Sequence, residues 1–174
     1  MSALTQAHIE AALATYTDPY LDSDLVSAGC VRDIRVGGDA VEVDIHLSYP
    51  SDYLKDGVAQ MLQVALENID GCRSARVYID WSVAEHKSQN TVEAIANVKN
   101  IVAIASGKGG VGKSTTAVNL AIALAKDGAK VGLLDADIYG PSQGIMLGVK
   151  DGTRPTTIDN KWFVPIEAHG LKTM

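Results

Sequence analysis

Ser106-Gly107-Lys108-Gly109-Gly110-Val111-Gly112-Lys113-Ser114-Thr115 holds the chemistry most legible in this chain. Within it, Gly107-x-x-x-x-Gly112-Lys113-Ser114 spells a full phosphate-binding loop. Glycines let the backbone curl until successive N–H groups point inward at phosphate oxygens. Lys113 adds a point charge for the outer phosphates of a nucleotide. The Ser114 hydroxyl is placed to ligate Mg²⁺, and Thr115 offers a further donor. Some 20 residues on, Asp135-Ala136-Asp137 supplies two carboxylates. An extended backbone would put both on one side, where Mg²⁺ and an attacking water would sit. Acidic residues ending a strand also serve as plain helix caps.

The elements around these residues must position them. Ile101-Val102-Ala103-Ile104-Ala105 reads as a buried parallel strand ahead of the loop. Val118, Leu120, Ala121, Ile122, Leu124 and Ala125 predict a helix after it, ended by Gly128. The helix would aim its positive end at the anion. Residues 130–134 predict a second buried strand, carrying Asp135 and Asp137 at its carboxyl end, where open α/β sheets bind ligands. Pro141-Ser142 predicts a short helix ending near Gly148, then a loop over 151–160. Residues 162–166 form a strand-like stretch whose Trp162 and Phe163 read as packing residues.

The first half has a different pattern. Residues 5–16 predict an amphipathic helix capped by Thr5, with Ile9, Ala12 and Leu13 on one face. Residues 21–29 read as a loop. Val31 to Val36 and the alternation of Val41, Val43, Ile45 and Leu47 with Glu42, Asp44 and His46 predict a β-hairpin turning at Gly37-Gly38-Asp39. A helix capped by Ser51 or Asp52 follows, with Tyr53, Leu54, Val58, Met61, Leu62, Ala65, Leu66 and Ile69 as its core stripe. Ala75, Val77, Ile79 and Trp81 mark a third strand. The order is α-β-β-α-β, an α+β domain over residues 1–84 with one helix-covered sheet. Polar residues 85–99 read as a linker, and residues 100–174 as the first part of an α/β P-loop NTPase domain.

Composition narrows the partners. The 174 residues carry a net charge of −6, which argues against general nucleic-acid or anionic-membrane binding. There is no apolar run long enough to span a bilayer and no signal peptide is evident, so a cytoplasmic protein is expected. Cys30 and Cys72 stand far apart and read as reduced thiols. His8, His46, His86 and His169 show no ligand spacing, and no Ser/His/Asp arrangement is evident.

The second lysine, Lys108, makes the loop resemble that of the deviant-Walker ATPases, the MinD/ParA-like group. That likeness implies a nucleotide-sandwich homodimer in which Lys108 reaches the partner's nucleotide. The first half resembles the SufT/PaaD-like domains of iron–sulfur assembly through Asp18-Pro19, residues 25–34, Pro50 and Gly71. Many such domains carry a cysteine after the second strand, where this chain has Tyr49-Pro50-Ser51-Asp52. Together with Asp137-Ile138-Tyr139-Gly140-Pro141-Ser142 and His169-Gly170-Leu171-Lys172, the chain resembles the Mrp/ApbC family. The resemblance implies an ATP-hydrolysing iron–sulfur cluster carrier that delivers clusters to apoprotein clients. It implies the roles of Gly107, Lys108, Gly109, Gly110, Val111, Gly112, Lys113, Ser114 and Thr115 around ATP. It also has Asp135 support Mg²⁺ through water and Asp137 position the attacking water. The family's chain continues into a second acidic motif, base-binding residues and a C-x-x-C pair that bridges a 4Fe-4S cluster between subunits. This chain is therefore expected to be a C-terminally truncated member, with no cluster ligands of its own and a marginal ATPase half. A positioning ATPase and a non-catalytic assembly adaptor are the alternatives.

Overall fold

The computed structural model describes residues 4–85 and 95–174. The chain forms two compact units, Met1–Glu85 and His86–Met174. Most of the expected linker, residues 86–94, lies outside the described residues.

The first unit begins with α1 (Gln6–Leu13), whose Ile9 and Leu13 are fully buried. Thr5 takes the extended cap conformation without a side-chain bond to the helix. The helix stops three residues short of Tyr16, where the Thr15 hydroxyl donates to the Ala12 carbonyl and competes with the helical ladder. The expected loop over 21–29 contains half of a short antiparallel pair, β1 (Thr17–Asp18) with β2 (Ser23–Asp24). Asp18 is 1% exposed. Its Oδ1 accepts from the backbone N–H groups of Tyr20 and Leu21, and its Oδ2 accepts from the Tyr49 hydroxyl.

The hairpin forms as its alternation dictates, with β3 (Val31–Gly37) antiparallel to β4 (Ala40–Leu47). Gly38 takes φ +69° in the turn, a conformation open to glycine at little cost. Val41, Val43, Ile45 and Leu47 are all buried. β5 (Ser74–Trp81) pairs parallel to β4, with Val41, Val43 and Ile45 opposite Ala75, Val77 and Ile79. The crossover between them is α2 (Lys55–Glu67), which buries Leu62 and Leu66 one turn apart.

Neither Ser51 nor Asp52 caps α2. The helix begins only at Lys55, after a turn in which the Ser51 carbonyl accepts from Leu54 and Lys55. The Asp52 carboxylate instead accepts from Lys55 Nζ at 2.7 Å and from Trp81 Nε1 at 3.0 Å. Tyr53 is left in that turn at 80% exposure, and Met61 lies half-exposed at the flank of the stripe, so neither belongs to the core. The wet face of the sheet is a polar ladder. Arg35 reaches Asp33, Glu42 and Asp44. His46 bonds Asp80 at 2.6 Å and the Ser82 hydroxyl at 2.8 Å. This Ser/His/Asp grouping spans 36 residues, so no local pattern announces it. Asp80 stands 77% exposed, and water competes for its bond to the ring.

In the second unit, α3 (Lys113–Lys126) follows the glycine loop, and Gly128 at φ +98° ends it as expected. β6 (Gly132–Leu133) is shorter than the predicted strand. After α4 (Gln143–Met146), the expected loop over 151–160 contains β7 (Thr157–Ile158), paired antiparallel to β8 (Trp162–Phe163). Asp159 and Asn160 both take positive φ in the three-residue turn between them, a conformation that Asp and Asn tolerate better than most residues. Trp162 and Phe163 are 70% and 63% exposed, so they are not packing residues within this unit. β9 (Ile166–Ala168) turns through His169-Gly170 into β10 (Leu171–Thr173), and β10 pairs parallel to β6.

Residues 101–105 form no strand. Ile101 and Val102 are 71% and 69% exposed, and no ladder among the described residues includes them. A helix satisfies its own backbone, but a strand exists only when a neighbour pairs with it. The buried cluster of this unit is correspondingly small: Val118, Ala121, Leu147 and Leu171.

Candidate functional site

Gly110 and Gly112 take φ of +74° and +85°, which L side chains adopt at a cost of about 1–2 kcal/mol. Gly112 is the N-cap of α3, so the chain leaves the loop in a left-handed conformation and enters the helix at Lys113. A Cβ on Gly107, Gly109, Gly110 or Gly112 would meet nothing within 4 Å. The backbone of the loop is therefore unobstructed on the side where a side chain would stand. The Ser106 hydroxyl braces the loop, accepting from Lys108 N–H and donating to the Lys108 carbonyl, both at 3.1 Å.

Lys113 Nζ lies 3.2 Å from Asp137 Oδ2, so the structure brings these two together. Asp137 Oδ1 accepts from Gly140 N–H at 3.2 Å, which curls residues 137–140 around the carboxylate. Asp135 is differently placed. Its Oδ1 accepts from Asp137 N–H at 3.0 Å, and its Oδ2 from Ser142 and Gln143 N–H at 2.9 and 3.0 Å. The stretch is thus not extended, and the two carboxylates do not lie side by side as on a strand. Asp135 caps α4, with every contact to it made by backbone beyond β6. Its own N–H donates to the Met174 carbonyl at 2.7 Å, which anchors it beside β10.

Burial pushes the Asp135 carboxyl up, but the N–H groups of Gln143, Asp137 and Ser142, with the charge of Lys113, outweigh it and hold the group below its usual 3.8. A lowered folded value means the bonds stabilise the site above the unfolded value and lose that contribution as pH falls through the folded one. The α4 cap is thus expected to persist at pH 4 and to fail only below it. A ¹³C titration of the Asp135 carboxyl checks this, and a midpoint at or above 4 would contradict it.

Ser114 sits in the first turn of α3, half-buried, and its carbonyl accepts from Gln143 Nε2 at 3.3 Å. Thr115 is exposed, and its carbonyl accepts from Asn119 Nδ2 at 2.8 Å. Lys108 and Val111 are exposed in the loop. Gln143 was not among the expected site residues. Local sequence marks it only as the start of a short helix, and its bonds reach back 29 residues to Ser114 and eight to Asp135.

The donor set suits a magnesium nucleotide. Open glycine backbone and Lys113 can face phosphate, and the Ser114 hydroxyl can ligate a hard cation. Asp135, its oxygens already committed to N–H groups, suits contact through water. Iron is another matter: among the described residues no three His, Cys, Asp or Glu side chains could together hold a metal ion. Burial and the Asp18 charge push the Cys30 thiol up against the smaller effect of Arg32. Burial raises Cys72 as well. Both thiols are protonated at neutral pH, which disfavours ligation.

The family described as "NUBPL iron-transfer P-loop NTPase" matches residues 97–174, and the family described as "Iron-sulfur cluster assembly protein" matches residues 6–79. This pairing of domains in one chain is consistent with the Mrp/ApbC family. Proteins named "Iron-sulfur cluster carrier protein" are similar to the chain in several bacteria. The one from Pseudomonas fragi is 66% identical over 114 residues, covering 66% of this chain and 40% of its own length. The Haemophilus influenzae protein is 39% identical over 98% of this chain and 46% of its own length. That of Deinococcus radiodurans is 43% identical over 92% and 45%. The chain spans less than half the length of these relatives. The P-loop NTPase match thus takes in the glycine loop, and the assembly-protein match the α-β-β-α-β unit. Among the described residues no helix is long and apolar enough to cross a membrane.

Proposed function

We propose that this chain supplies the ATP-binding loop and the assembly domain of an ATP-hydrolysing iron–sulfur cluster carrier. The observation that carries the reading is the Lys113–Asp137 pair at the mouth of an open glycine cradle. An ammonium held by a carboxylate where a phosphate would lie is a stand-in contact, ready to be exchanged. Phosphate would take Lys113 from Asp137. The freed Asp137 carboxylate would then orient water for attack. Mg²⁺, when bound, neutralises charge on the phosphates, and Ser114 with Asp135 would hold it. Loop N–H groups from Gly107 to Thr115 would cradle the nucleotide, with Lys108 reaching a partner's nucleotide in a homodimer. The cluster is cargo, passed to apoprotein clients; the named relatives support this role.

Asp137→Asn separates binding from chemistry. It frees Lys113, so ATP binding is expected to hold or tighten by a few-fold. Hydrolysis by the whole protein is expected to fall by about 10²–10⁴, the usual worth of a positioned base. The two are measured by nucleotide titration and phosphate release. Undiminished hydrolysis would remove Asp137 from the mechanism. Whole protein that takes up no iron and sulfide on anaerobic reconstitution would overturn the carrier role.

A further inference from the structure

Gln143 is 5% exposed and hydrogen-bonded to two residues of the site. Its backbone N–H donates to Asp135 Oδ2 and its Nε2 donates to the Ser114 carbonyl. Its Oε1 is buried without a partner. Turning the amide over does not help. The oxygen would then face the Ser114 carbonyl, acceptor against acceptor, and the two-hydrogen nitrogen would take the partnerless place. The Ser114 carbonyl therefore sets the orientation, and the oxygen is left as an acceptor beside the site. Buried polar atoms in folded proteins are nearly always paired, so this one calls for a donor.

The chemistry of the donor is constrained. Phosphate oxygens are acceptors and cannot pair with Oε1. Lys113 is held by Asp137 before binding and by phosphate after it, on the proposed reading. Water remains, and a water polarised by a cation donates more strongly than bulk water. Ser114 and Asp135 are the residues assigned to the cation, and Gln143 bridges them. We propose that Gln143 is a positioning residue for the magnesium nucleotide, its Oε1 accepting a hydrogen bond from a metal-bound water while its two N–H groups hold Ser114 and Asp135 on either side. This rests on the nucleotide-binding reading above and extends it to a residue that reading does not use.

The bond exists only when metal and nucleotide are both present, so its loss has a signature that general damage lacks. The experiment is titration of ATP into the 174-residue chain, once with excess Mg²⁺ and once with a chelator, for the unaltered protein, Q143L and Q143E. The unaltered chain is expected to bind ATP more tightly with Mg²⁺. Q143L, similar in size but without an acceptor, is expected to shrink that advantage about tenfold, the worth of one hydrogen bond to a charged group. Its metal-free affinity should stay within about twofold. Q143E keeps an acceptor at Oε1 but sets a second oxygen against the Ser114 carbonyl, so it is expected to lower affinity with and without metal alike while preserving the ratio between them. Equal weakening of Q143L in both conditions would mean a structural role only, and an unchanged advantage would mean none; either overturns the proposal. Should Q143L fail to fold by its thermal melt, Q143E decides: a preserved advantage supports the proposal, and a collapsed one overturns it. Binding by the unaltered chain with no metal advantage would overturn the role of Gln143 and leave the phosphate reading standing. No binding in either condition would overturn both.

Discussion

Lys113→Ala is expected to weaken Mg-ATP binding to this chain by about 10²–10³-fold in calorimetric titration. A hydrogen bond to a charged group is worth about 1.5–3 kcal/mol, and an ammonium reaching two phosphates makes at least two, which is roughly 3–4 kcal/mol. Lys113 is placed for this by Gly112, whose left-handed conformation turns the chain into α3. Its ion pair with Asp137 does not offset the loss, because both side chains are partly exposed and such pairs are weak. The melting temperature should therefore hardly move, so lost affinity reports the site rather than the fold. Lys108→Ala is the contrast. Lys108 is exposed, and its proposed role is across a dimer, so the isolated chain should bind almost as before. Equal affinity for the unaltered chain and the Lys113 variant would overturn the phosphate loop as the binding site.

Asp18→Ala is expected to destabilise the first unit by about 3–5 kcal/mol. The carboxylate is 1% exposed and serves the N–H groups of Tyr20 and Leu21 and the Tyr49 hydroxyl. Alanine leaves all three donors without it, at about 1–3 kcal/mol for each that stays buried. Tyr49 cannot escape by ionising, since burial, the largest cause of its raised phenol pKa, remains in the variant. A loss of this size is a large part of what a domain has to spend. Hydrogen exchange at the β4 amides of Val43 and Ile45, with urea denaturation, measures it. Asp18→Asn is expected to cost far less, because one oxygen can still serve the two N–H groups and the tyrosine hydroxyl can accept from the new amide. A loss below about 1 kcal/mol for the alanine variant would mean that water reaches these donors.

The two predictions concern elements that differ in how openly the sequence announces them. The phosphate loop was legible because its demands are local. Glycine at 110 and 112 permits positive φ, and helix periodicity starts at the next residue. The β3–β4 hairpin was legible for the same reason: alternation of period two, bounded by a turn, needs no knowledge of distant residues. The pairing of an assembly domain with a P-loop NTPase region was legible in the motifs of the two halves.

Other features depended on partners far along the chain. Asp18 and Tyr49 lie 31 residues apart, and His46 and Ser82 lie 36 apart. The apolar run 101–105 has strand composition, yet pairing decides whether a strand exists, and no described ladder takes it in. Tyr53 and Met61 fell at helical spacing, but only packing against the sheet fixed where α2 begins and which side it buries. Trp162 and Phe163 had core composition and stand in a hairpin exposed to solvent. Asp135 shows the division within one residue. Its type and its place after a strand marked it as a candidate site residue from sequence alone. Which atoms its oxygens meet was decided by the fold, because the donors come from Asp137, Ser142 and Gln143 once the chain has curled back. Sequence determined the local conformations and the kinds of chemistry available. Tertiary structure decided which of those groups are paired, since a hydrogen bond or a strand ladder needs a second partner that local sequence does not name.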